Sequence, residues 1–338
     1  MSEDMSEDMS EDMSEDMSED MSDAAGTEAG WQAALDGFVP VPAAHARPEL
    51  DAATARHLLR CPPPVWARLT AGGLPARPAP DGERYDSRDL FNLAVHSGSR
   101  VSVPEVALSL ALRFTRQDPR HWSRTRAWEL RTTLTCLRHE GEGHWRAWPP
   151  VPYDTPAAGA GPRRWSGPEA VHTLSHRVRT RGVHARLVGP RLRAETADEL
   201  ARPLRYVRMP AAVRADAAWM AERGLVDCVS GTLSLARRLT AAGYEVRGRT
   251  GWLVGPEVCD HTWLDVRDDD GQWKSVDVAH HHLARTLFGP DAVAPETFAG
   301  SRPDRLVASA APPGEQLFAH RCRTAPADLD CRISAVSR

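Results

Sequence analysis

Asp227-Cys228, His261-Thr262-Trp263-Leu264-Asp265-Val266 and Trp273-Lys274-Ser275-Val276-Asp277 are the stretches whose reading decides the fold. Cys228 opens an apolar-periodic run (Val229, Leu233, Ala236, Leu239) that ends at Ala241-Ala242-Gly243. This spacing predicts a helix with the cysteine at its head and glycine just past its end. The partial positive charge of a helix N-terminus favours a thiolate, so the reading expects a depressed Cys228 pKa. From His261 the residues alternate: Thr262, Leu264 and Val266 point one way and His261, Trp263 and Asp265 the other, the period of a half-buried strand. Asp268-Asp269-Asp270-Gly271 reads as a turn, and Trp273 to Val278 returns antiparallel with Trp273, Ser275 and Asp277 on one face. A connection centred on Asp269 sets His261 directly opposite Asp277, with Cβ atoms ~5 Å apart. Asp277 can then orient the imidazole through one nitrogen while the other takes the Cys228 proton.

A helix headed by cysteine and ending in Ala-Ala-Gly, a strand beginning His-x-Trp-x-acid, and a Trp followed by Asp together resemble the transglutaminase-like fold. That fold is a branch of the papain-like cysteine enzymes. The likeness spans residues 210–278. It implies Cys228 as nucleophile, His261 as general base and acid, Asp277 as orienting carboxylate, and an upstream oxyanion donor for which Trp219 and Tyr206 are candidates. Two positions depart from the pattern: Val278 follows the acid where the family often has Pro, and Asp265 stands where Glu is commoner. Trp263 and Asp265 are candidate pocket residues. The expected fold class is α+β, a transglutaminase-like/papain-like core in which the Cys-bearing helix packs on an antiparallel sheet, preceded by a mainly helical N-terminal region.

Apolar residues make up 41% and charged residues 26% of the 338-residue chain, ordinary for a globular protein with ample core. There is no apolar run of about 18 residues, so no transmembrane helix is expected. The acidic N-terminus does not read as a secretory signal. Six cysteines without a C-x-x-C pair suggest reduced thiols and a cytoplasmic location. Of the 42 basic residues all but Lys274 are arginine, which with the abundant Ala, Gly and Pro suggests a GC-rich coding sequence such as actinobacteria carry. The arginines form no basic stripe interleaved with aromatics, so nucleic acid is not an expected partner.

Met-Ser-Glu-Asp repeats five times from Met1 to Asp20, and residues 1–23 read as a disordered acidic segment. Without its eleven acidic residues the remaining chain has a formal charge of +7, which favours acidic partners. Residues 24–150 read as a region of unknown role, with a helix from Val103 to Leu112 and packed loops over Arg84–Leu90 and His96–Ser99. Trp148 to Pro168, rich in Pro, Gly and Ala, reads as a linker. The catalytic domain is expected over 168–338, with helices over Glu169–Val178 and Pro210–Arg223 and a Pro-rich tail from Phe288 wrapping the surface. His280-His281-His282 reads as an extended segment whose side chains alternate, which argues against a closed metal site. No metal or cofactor is expected.

These readings point to thiol-dependent acyl transfer that forms or exchanges an amide bond in specialised metabolite biosynthesis. The acyl donor would be a small molecule, a peptide or a carrier-protein-bound acyl group. The alternatives are a cytosolic cysteine peptidase or amidase of the same fold, and a non-enzymatic binding module.

Overall fold

A computed structural model describes residues 28–153, 161–256, 258–322, 325–326 and 329–337. The Met-Ser-Glu-Asp repeat and part of the Pro/Gly-rich stretch at 154–160 lie outside the described residues. The fold is α+β, with helices and mostly antiparallel sheets. The chain divides into two compact units, one formed by residues up to Ser109 with Arg208–Pro210, the other by Leu110–Val207 and Ala211–Arg338. Both Cys228 and His261 belong to the second unit.

In the first unit the described helices lie with a three-stranded sheet whose middle strand is Gly82–Asp86. The Arg84–Leu90 stretch is therefore not a loop: it runs from that strand into the helix Ser87–Val95, whose N-cap is Asp86. The expected helix Val103–Leu112 forms as read. Ser97 and Ser99 donate to the buried Glu105 carboxylate, which ties these hydroxyls into the turn before that helix.

The second unit holds a five-stranded antiparallel sheet in the spatial order Ala299–Gly300, Trp273–Val276, Cys259–Arg267, Val246–Leu253, Leu306–Ala308. The helix Cys228–Ala241 packs on it: Leu235 and Leu239 bury against Leu264, Val266 and Val276. That helix ends as a Schellman motif, Tyr244 N–H reaching the Leu239 carbonyl (3.0 Å) and Gly243 N–H the Thr240 carbonyl (3.0 Å), with Gly243 at φ +91°. Gly231 lets it sit close: a Cβ there would lie 2.9 Å from Val226 and 3.3 Å from Val278.

Four sequence readings need correction. The strand Cys259–Arg267 is buried on both faces from His261 to Val266, not half-buried, because its polar side chains are satisfied internally. Residues Val171–Arg181 form a strand, not a helix, and pair with Thr125–Thr135. Pro210–Arg223 yields two short helices, Ala211–Arg214 and Ala217–Glu222, with Asp216 capping the second. The tail beyond Phe288 contributes strands to three sheets: Ala299–Gly300 and Leu306–Ala308 edge the five-stranded one, Phe318–Cys322 pairs with Gly143–Ala147, and Leu329–Ser337 pairs with Thr125–Cys136. The region before residue 150 holds strands as well as helices, the longest strand being Thr125–Cys136.

Candidate active site

Cys228 occupies the first position of its helix. Asp227 is the N-cap in a reciprocal capping box, its carboxylate accepting Ser230 N–H (2.7 Å) while Ser230 Oγ accepts Asp227 N–H (2.9 Å). The backbone N–H of Thr262, the residue after His261, acts to lower the pKa of the half-buried Cys228 thiol. Among the described residues no hydrogen bond joins that sulfur to the His261 ring.

His261 and Asp277 do meet: Nε2 lies 2.6 Å from Asp277 Oδ2. The register that brings them together differs from the one expected. Arg267 pairs with Trp273 and Leu264 with Val276, so the hairpin is centred on Asp270, one residue later than expected. The reason is the turn: Gly271 takes φ +76°, its N–H bonds the Asp268 carbonyl (2.8 Å) and Asp268 N–H bonds the Gln272 carbonyl (2.9 Å), closing a three-residue loop. Lys274, the sole lysine, clamps it by bonding Asp268 (2.7 Å) and Asp270 (2.8 Å). Because the slip is two positions, side chains keep their faces, and Asp277 reaches His261 as a diagonal neighbour just past the strand end.

Asp277 is also the N-cap of the helix Val278–Phe288, its Oδ1 accepting His280 N–H (3.0 Å). The three consecutive histidines are thus helical and buried, not extended. His280 belongs to the site: its Nδ1 lies 3.0 Å from Asp277 Oδ2, and its ring stacks on His261 at 3.7 Å and 10°. The Trp263 ring lies nearly parallel to His261 at 5.8 Å and 15°. The Trp263 indole donates to Tyr153 Oη (3.2 Å), whose hydroxyl also bonds Asp265 and Ser275 Oγ (2.8 Å). Asp265 is the core of this network, paired with the buried Arg249 at 2.9 Å. Trp263 lines a small enclosed cavity with Asp277 and His280, and neither Cys228 nor His261 borders it.

The electrostatics correct the expectation of a depressed thiol. Burial first, then the neighbouring Asp227 charge, push the Cys228 thiol up to about 12, against the lowering effects of Arg214 and the Thr262 N–H. Burial also lowers the His261 imidazole pKa, and His280 adds to this while Asp277 opposes it. Burial would raise the Asp277 carboxyl, but His261 and His280 hold it far below the usual carboxylate range. The resting arrangement is a neutral thiol, an imidazole and an ionised carboxylate.

Tyr206 lies in a two-residue parallel pairing with Val226, two residues before Cys228. Trp219 sits on the helix Ala217–Glu222, with the Arg223 guanidinium 4.2 Å from its ring. His261, Asp277 and His280 offer ligand atoms close enough to hold a metal ion. Sequence reading missed His280, although an N-cap acid followed three residues later by histidine is a findable spacing. It also missed Tyr153 and Arg249, which carry no local signal. Among the described residues no helix is long and apolar enough to cross a membrane.

No family model matches the chain, and no curated protein matches it. Among solved structures it is similar to one from Cytophaga hutchinsonii described as a "Putative Cysteine Protease". The TM-score is 0.33 and the identity 8%, over 63% of this chain and 92% of that one.

Proposed function

We propose that this chain is a transglutaminase-like, papain-like cysteine enzyme that transfers acyl groups through Cys228. The observation that carries the reading is the 2.6 Å His261 Nε2–Asp277 Oδ2 bond on the strand whose next residue, Thr262, favours through its N–H the thiolate of Cys228 at a helix head. Nε2 is committed to the carboxylate, so Nδ1 is the nitrogen left to take the thiol proton.

The neutral thiol makes attack general-base assisted, with no preformed ion pair. Cys228 Sγ bonds to the carbonyl carbon of an amide or thioester as its proton passes to His261 Nδ1. The carbonyl–leaving-group bond then breaks, and the leaving atom receives that proton from the imidazolium, which Asp277 stabilises. An amine or water attacks the acyl-cysteine, gives its proton to His261 and expels the sulfur, which is reprotonated. Cys228 N–H, one of the unpaired donors of its helix, is positioned by type to bind the oxyanion, with Tyr206 or Trp219 as the second donor.

Amide formation with an acyl group carried on a small molecule, a peptide or an acidic carrier protein is the favoured reaction, because the chain beyond residue 23 is basic. The cytoplasm is the proposed location. Peptidase or amidase activity is the same chemistry with water as acceptor, and a binding module would retain the fold without turnover. The test is turnover of a thioester and peptide panel with and without added amines. Loss of activity in both Cys228→Ala and His261→Ala, with amine-dependent amide product, supports the reading. Full activity in Cys228→Ala sinks it, and product from water alone selects the hydrolase.

A further inference from the structure

Far along the chain from the Cys228 site, Cys136, His139, His320 and Cys322 turn one potential ligand atom each toward a common point, all within 4.8 Å of one another. Cys136 ends the strand Thr125–Cys136, and His139 lies in the turn that follows. His320 and Cys322 sit two apart on the strand Phe318–Cys322, hence on one face, and that strand pairs with Gly143–Ala147 immediately after the turn. The two sulfurs are 3.5 Å apart, and Cys322 Sγ is 2.9 Å from His320 Nε2 and 3.8 Å from His139 Nδ1. A tetrahedral zinc with ~2.3 Å sulfur bonds holds its sulfurs about 3.8 Å apart, and sulfur–nitrogen edges run to about 3.6 Å. The sulfur–sulfur and Cys322–His139 spacings lie within about 0.3 Å of those edges, and the Cys322–His320 pair would open by about 0.7 Å to admit the ion.

We propose that these four residues form a structural zinc site. Its donor set is two thiolates and two imidazoles, the composition of closed four-coordinate zinc centres. Three further features fit. His139 Nε2 lies 2.6 Å from the Pro168 carbonyl oxygen, so that nitrogen carries the proton and Nδ1 presents its lone pair to the site, the arrangement a zinc-bound histidine adopts. Gly143 leaves the space that the His320 ring fills, since a Cβ there would collide with it, and Trp145 stacks on that ring at 3.7 Å. Cys136 and Cys322 also lie in an apolar cluster with Leu134, Trp145, Ala147 and Leu174. A divalent ion bound by two thiolates is net neutral and suits such surroundings, whereas two thiols and two imidazoles packed there make only weak contacts. Binding releases the two thiol protons. With no water position among its four ligands, the ion ties the strand Phe318–Cys322 to the end of the strand Thr125–Cys136, more than 180 residues earlier, and takes no part in acyl transfer.

The test is metal content of the full chain, purified under reducing conditions with any affinity tag removed, followed by replacement with cobalt. About one zinc per chain is expected, and the cobalt form should show thiolate-to-metal charge-transfer absorption. Cys136→Ser and His320→Ala should lose the metal, while Cys61→Ser, Cys331→Ser and His280→Ala should keep it. His139→Ala changes a part-exposed turn residue, so its fold should survive, and zinc affinity should fall at least about tenfold. Failure of the wild-type chain to take up stoichiometric zinc on reconstitution overturns the site. So does metal that persists in Cys136→Ser but is lost in His280→Ala, which would assign it to the His261 cluster. A mass two units low with a Cys136–Cys322 linked peptide would show a disulfide instead.

Discussion

Replacing Asp227 with asparagine isolates the charge that works against the Cys228 thiolate. Asn caps helices about as well as Asp, and its Oδ1 can accept the same Ser230 N–H, so the helix head should stay intact. What disappears is a negative charge beside the sulfur, the second cause after burial of a thiol pKa near 12. Two charges ~5 Å apart at an effective dielectric of ~20 interact by about 3 kcal/mol, or roughly two pKa units. Burial raises the Asp227 pKa too, and Arg214 tempers its charge, so the expected drop is about one to two units. Thiolate then becomes roughly 10- to 100-fold more abundant, while its nucleophilicity falls with a Brønsted slope of ~0.4–0.5. The net gain in attack on a disulfide at pH 8 is about three- to tenfold. The assay is reaction with dithiodipyridine followed by peptide mapping of the Cys228 mixed disulfide, with circular dichroism to check folding. A folded Asp227→Asn protein that reacts no faster than wild type refutes the electrostatic reasoning.

Acidification should destabilise the fold through His281 and His282, which burial, with added repulsion from Arg285, holds near 4. The unfolded chain takes up protons first between about 6.5 and 4, so stability falls as pH drops through that window, by up to about 3 kcal/mol per residue; urea unfolding at pH 7 and pH 5 measures it. Gly231→Val drives a side chain into Val226 and Val278 and should cost about 1–3 kcal/mol, read as a lower melting temperature. Tyr153→Phe leaves Trp263 Nε1, Ser275 and Asp265 short of a partner, at about 1–3 kcal/mol in chemical denaturation, while Cys228-dependent turnover should survive in part. Deleting residues 1–20 should leave both melting temperature and turnover unchanged, because the uniformly acidic repeat cannot bury a core.

The parts of the site that could be read in the sequence are those encoded by local period. Alternation from His261 to Val266 set which side chains share a face, and that parity survives a two-residue register slip, so the His261–Asp277 pairing was readable although its geometry was not. The helix of Cys228 announced itself by its apolar stripe and Gly243. Elsewhere local signals misled. Val171–Arg181 mixes polar and apolar residues at a spacing that suits either period, and only its long pairing with Thr125–Thr135 decides for strand. The tail strands Ala299–Gly300, Leu306–Ala308 and Phe318–Cys322, of two to five residues, are too short to show a period and exist through distant partners. Tyr153 meets Trp263, and Cys136 meets Cys322, across more than a hundred residues, which spacing along the chain does not encode. The thiol pKa is illegible for another reason: the burial of Cys228 and the charge of Asp227 outweigh the helix head, and local sequence does not encode burial.

Acylation of Cys228 is the central claim, and intact-mass analysis after brief exposure to an activated acyl donor such as p-nitrophenyl acetate tests it most directly. The expected result is a single acetyl group mapped to Cys228, absent in Cys228→Ala, much slower in His261→Ala and cleared by added amine. Acetylation spread over the exposed Cys331 and other residues, or unchanged in rate when His261 is replaced, would contradict it.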